Sequence, residues 1–123
     1  MAVVKLPDMI LFVYKFRPAF VSIGGLPEGV YGNARGMFIR MASGYSFGQI
    51  EHELTHVRQF YRTFGLHDLL CILFKSYKLA TEFEAYRAQL KMDGGTVTDM
   101  AAQIVANAGF GITQAEAERR LWG

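Results

Sequence analysis

Three side chains within five residues could do chemistry here: His52, Glu53 and His56, in the run His52-Glu53-Leu54-Thr55-His56. Residues four apart on a helix stand one above the other, so the two imidazoles could offer ring nitrogens to one divalent ion at about 2.0–2.1 Å. Glu53 falls about 100° round the same helix, where it can take a proton from water without binding the ion. The pattern is improbable by chance. Three histidines and seven glutamates scattered over 123 residues yield about 0.004 copies of it. The chemistry implied is metal-assisted hydrolysis.

A catalytic zinc takes a third protein ligand and keeps one position open. No further histidine follows at short spacing, so a downstream carboxylate is expected. Two stand in Ala80-Thr81-Glu82-Phe83-Glu84-Ala85-Tyr86-Arg87. They lie about 200° apart on a helix, so only one can face the metal. Glu84 is the choice, because it shares a stripe with Tyr77, Ala80, Thr81 and Ala88, whose small residues allow close helix approach. Glu82, with Lys78 four residues before it, reads as a solvated ion pair. Gln59, three residues beyond His56, falls on the ligand face and either orients a ligand or a carboxylate or is an ordinary polar helix position. Tyr86, Tyr77, His67 and Arg87 are candidate donors to a developing oxyanion. The competing reading is core packing for the tyrosines and solvated surface for His67 and Arg87.

The elements that must position these groups follow from period and punctuation. Residues 3–6 and 10–16 read as strands, with a short strand at best over 20–23. A turn supplied by residues 33–36 predicts a hairpin whose second arm is 37–41. That arm either pairs with an extended peptide or lies inside the sheet. Ser46 with Gln49 forms a capping box opening a helix to about Phe64, with Gly65 as its C′ glycine and Phe47, Ile50, Leu54, Val57 and Tyr61 as its apolar series. A second helix is expected from His67 to Met92, a third over 98–107, and a last short one capped by Thr113 and Glu116 and running to Leu121. Strands first and helices afterwards predict an α+β fold: an N-terminal antiparallel sheet, an active-site helix and further helices.

Composition bounds the rest. The chain is 51% hydrophobic and 20% charged with net charge +2, which excludes disorder and suits one domain over 1–123. It has no basic block, so no nucleic-acid partner is expected. Cys71, the one cysteine, cannot form an internal disulfide and reads as a buried small hydrophobe in a reducing compartment. The apolar run at 9–14 follows Pro7-Asp8 rather than a basic region and does not read as a signal peptide. No run approaches the ~20 residues of a membrane span. A cytoplasmic protein with no membrane partner is expected. Oligomeric state is not legible, and residues 98–123 either cap the core or bind a partner.

Glu51-His52-Glu53-Leu54-Thr55-His56-Val57-Arg58-Gln59, followed by Glu-Phe-Glu-Ala-Tyr-Arg from Glu82, resembles the minimal gluzincin-type zinc metallopeptidases, including small bacterial and phage-encoded members. The likeness covers residues 50–89 and lacks the longer Asn-Glu-x-x-x-Asp element of the thermolysin type. It implies a small zincin-like domain with an antiparallel edge strand above a cleft. It also implies Zn2+ as cofactor, His52, His56 and Glu84 as ligands, Glu53 as general base, and a peptide or protein substrate. The alternative is a non-catalytic zincin-fold protein that binds a metal or a partner.

Overall fold

The computed structural model describes residues 2–6, 9–14, 17–93, 95–106 and 111–122, with side chains from residue 17 onward. Five strands come first: β1 (Ala2–Leu6), β2 (Met9–Tyr14), β3 (Arg17–Ile23), β4 (Gly32–Arg35) and β5 (Phe38–Met41). They form one sheet in the order β1-β2-β3-β5-β4. Neighbours are antiparallel except β3 and β5, which run parallel. The expectation of a wholly antiparallel sheet is therefore corrected. After Ile23 the chain crosses to the far edge, lays down β4 and turns back into β5 between β4 and β3. The end of the expected 10–16 strand lies outside the described residues.

β3 is longer than residues 20–23. Pro18 sits inside it, and its missing N–H is tolerated because pairing with β5 begins only at Phe20. The hairpin turn also falls later than expected. Arg35 pairs with Phe38 across Gly36 and Met37. Gly36 has φ +59°, which a two-residue turn of this kind requires at its first position. Residues 33–35 are thus strand and Met37 is turn, while β5 is an interior strand and β4 the edge.

Five helices follow: α1 (Phe47–Arg62), α2 (His67–Leu73), α3 (Lys75–Asp93), α4 (Val97–Ala106) and α5 (Gln114–Trp122). The capping box of Ser46 and Gln49 is present. Thr63 caps the C-terminal end of α1 and Phe64, at φ +54°, takes the left-handed C′ position expected of Gly65. Gly65 N–H then bonds to the Phe60 carbonyl at 2.9 Å, and Phe64 N–H to that of Tyr61 at 3.1 Å, a Schellman closure. The single helix expected from His67 to Met92 is two, because Phe74 adopts an extended backbone between α2 and α3. No glycine or proline marks that break.

Two cores result. Ala19, Val21, Ile39 and Met41 from one sheet face meet Ile50, Leu54 and Val57 of α1. Phe83 and Tyr86 of α3 meet Met100, Ala101 and Ile104 of α4 and Ala117 and Leu121 of α5. The C-terminal helices therefore back α3, with Arg87 also donating to the Arg120 carbonyl at 3.1 Å. Phe83 is 1% exposed, and truncating such a ring costs about 3–5 kcal/mol. Among the described residues no helix is long and apolar enough to cross a membrane.

Candidate metal centre

α1 and α3 lie side by side and run in opposite directions. Asp93, the last residue of α3, reaches the start of α1, accepting hydrogen bonds from Gly48 N–H at 2.6 Å and the Ser46 hydroxyl at 2.7 Å. A Cβ at Gly48 would collide with that carboxylate. From this anchor each step along α1 meets a step back along α3. His52 packs edge-on against Tyr86 with ring centroids 4.4 Å apart, His56 meets Glu82, and Gln59 meets Thr81 and Glu84.

The groups that converge are His52, His56 and Glu82, each offering a ligand atom within 4.8 Å of the others. Glu82 Oε1 lies 2.8 Å from His56 Nε2, and its Oε2 lies 3.8 Å from His52 Nε2. Donors about 2.1 Å from a tetrahedral ion sit roughly 3.4 Å apart, and the two separations bracket that spacing. Two imidazoles and a carboxylate are also the donor types that suit zinc. The residues fit a single divalent cation.

Glu84, the carboxylate chosen from the sequence, is not in this group. Arg62 donates to it at 2.9 and 3.2 Å, and Gln59 Nε2 at 2.6 Å. The stripe misleads because α3 buries two faces, one on α1 and the other on α4 and α5. Ala85 is fully buried, while Ala80 is exposed. Glu82 faces the imidazoles instead of a solvated Lys78, although the charge of Lys78 is close enough to help keep it ionised.

Gln59 is fully buried and bonds to both His56 and Glu84. Its amide nitrogen meets two acceptors, the Thr81 carbonyl at 3.1 Å and Glu84. Its oxygen must therefore face His56 Nδ1, 2.8 Å away, and accept that N–H. Nε2, 2.8 Å from the Glu82 carboxylate, then also carries a proton and donates it, so without a metal the ring is the imidazolium. When that proton leaves, the acceptor on Nδ1 holds the tautomer whose Nε2 lone pair is free for an ion. His67 is buried rather than solvated, its ring 5.7 Å from that of His56 and its Nδ1 2.9 Å from the Tyr77 hydroxyl. Cys71 is only partly buried, with Sγ 3.7 Å from His67 Nε2.

Electrostatics separate the members. Burial pushes His52 down to about 4, against the opposing pull of Glu82. Burial also acts to lower His56, but the hydrogen bond and charge of Glu82 outweigh it and raise His56 to about 9. Burial opposes ionisation of Glu82, yet His56 holds it below the ordinary carboxylate range. Glu53, 8% exposed, is raised to about 7 mainly by burial, with Glu82 adding and His56 subtracting.

These groups open into a cleft of about 640 Å³. Its roof is the loop from Gly29 and the edge strand β4; its floor is α1 with Gln49, His52, Glu53 and His56; Glu82, Tyr86 and Gln89 close the back. Gly32 stands directly over Glu53: a Cβ there would come within 3.2 Å of Glu53 Cγ and 2.6 Å of Met41 Sδ. Glycine at this point of β4 leaves room for the carboxylate. Tyr86 therefore reaches the cleft, whereas Tyr77 and Arg87 do not line it. Comparison of the chain with protein-family models, characterised proteins and solved structures yields no match.

Proposed function

We propose that this protein is a zinc-dependent hydrolase, most simply a metallopeptidase of minimal zincin type, in which His52, His56 and Glu82 hold the ion. The observation that carries the reading is Glu53, a buried carboxyl raised to about 7 beside a two-histidine, one-carboxylate cluster. A site that only held a metal for stability would have no use for it. The ion supplies Lewis acidity, making water acidic near neutral pH and polarising a carbonyl oxygen.

The chain supplies the rest. Burial makes the Glu53 carboxyl readily protonated in the metal-free site. Beside a bound dication its carboxylate would be favoured, able to accept a proton from water and return it to a leaving amine. The Tyr86 phenol, raised by burial, stays protonated and can donate a hydrogen bond to an oxygen gaining charge. β4, at the sheet edge over the cleft, offers backbone groups to an extended peptide. The arm over 37–41, which the sequence offers for that pairing, becomes β5 and is occupied on both sides.

The test is Glu53→Gln in the zinc-loaded protein, assayed on a peptide library. Hydrolysis should fall by about 10²–10⁴-fold while zinc occupancy persists. Equal turnover by the variant, or none by the zinc-loaded wild type on any peptide, would contradict the reading.

A further inference from the structure

Six large apolar side chains crowd one stretch of surface: Phe64, Leu66, Leu69, Ile72, Leu73 and Phe74, each between 51% and 95% exposed. They belong to α2 and the turns at its ends, and none lines the cleft. A domain of this size seldom leaves so much contiguous apolar surface in water. Phe64 adds an independent backbone observation. It occupies the left-handed position where a helix usually ends in glycine, and its ring is 95% exposed. The fold tolerates strain there and gains no packing from the ring within one chain.

The charges around this face say what covers it. Asp68 lies in the first turn of α2 and Lys75 just beyond its last, both exposed and opposite in sign. Arg58 and Arg62 nearby are answered by Glu51 and Glu84. Lys78, one turn further on and near enough to α2 to act on Cys71, adds a second cation at the Lys75 end, so the face is apolar in the middle and opposite in charge at its two ends. An anionic lipid surface would call for a rim basic at both ends, and Asp68 makes one end acidic. This arrangement complements itself instead: a two-fold rotation sets Asp68 of one protomer against Lys75 of the partner subunit, twice, on either side of an apolar centre. At about 200 Å² for a fully exposed apolar residue, the six together expose on the order of 800 Å², what each partner contributes to an interface of standard size.

We infer that a second copy of this chain docks on α2, forming an isologous dimer that leaves both clefts open. The contact is independent of the metal site. Sedimentation equilibrium of the full chain, from about 1 to 100 µM, tests it. The mass should rise from 13.8 kDa towards twice that value and stop there. Ile72→Glu and Leu73→Gln, both at exposed positions, should remain folded by circular dichroism and sediment as monomers. Asp68→Lys and Lys75→Asp should each weaken the dimer by about tenfold or more, and combining them should restore it. A chain monomeric at the highest concentration overturns the inference. So does an unlimited series of larger species, a dimer indifferent to Ile72→Glu, or a double reversal that restores nothing. Monomers that pellet with phosphatidylserine–phosphatidylcholine vesicles overturn it in favour of a lipid surface.

Discussion

Nε2 of His56 and Oε1 of Glu82 lie 2.8 Å apart, joining the middle of α1 to the middle of α3. This contact is why His56 is raised to about 9 despite its burial. In protein stripped of metal by a chelator, Glu82→Gln removes the charge and should bring the His56 pKa down from about 9 to near or below its ordinary 6.5. Proton-detected NMR titration of the imidazole reads this directly. A His56 pKa that stays near 9 in the variant would mean that another group holds the proton.

Gln59 is the link between His56 and the Glu84–Arg62 pair. Gln59→Leu keeps much of the volume and removes the acceptor for His56 Nδ1. Zinc affinity should fall about 10–100-fold, as is usual when the partner of a ligating imidazole is lost. Nitrogen chemical shifts of zinc-loaded protein should show His56 bound through Nε2 in the wild type. A variant with unchanged affinity would reduce Gln59 to core filling.

The pH dependence follows from the same shifts. His56, folded pKa about 9 against 6.5, gives the chelated protein stability that is complete below pH 6.5 and lost as pH rises towards 9. Glu53, about 7 against 4.5, likewise favours the folded state when protonated, and its contribution is lost as pH rises through 7. His52, about 4 against 6.5, acts oppositely, its contribution disappearing as pH falls from 6.5 to 4. Thermal melting of chelated protein should therefore be highest near about pH 5–6 and decline steadily from 6.5 to 9. Zinc affinity should strengthen over that interval by about tenfold per unit, because binding displaces the His56 proton. Melting temperatures that climb from pH 6.5 to 9 without metal would contradict these assignments.

Local signals are legible where they act within one element. The capping box of Ser46 and Gln49, the face shared by His52 and His56, and the direction of Gln59 all follow from helical spacing, and each is present. What spacing does not reveal is which face of α3 meets α1. α3 carries buried residues on two faces, so one apolar stripe does not exist to be read, and spacing alone favours Glu84 over Glu82. The antiparallel register set by Asp93 on Gly48 joins residues 45 apart, and no local pattern announces it. A cue is available: Ala85 with Gln89 is a small-then-polar pair in line with Glu82. Similarly, the break at Phe74 and the parallel pairing of β3 with β5 are tertiary outcomes without punctuation in the chain.

Competition titration with zinc on the wild type, His52→Ala, Glu82→Ala and Glu84→Ala tests the centre itself. The wild type should bind one equivalent. His52→Ala and Glu82→Ala should each lose at least about a hundredfold in affinity, more than the removal of an orienting partner, and Glu84→Ala no more than about tenfold. Tight stoichiometric binding by Glu82→Ala, with loss in Glu84→Ala instead, would contradict the centre described above.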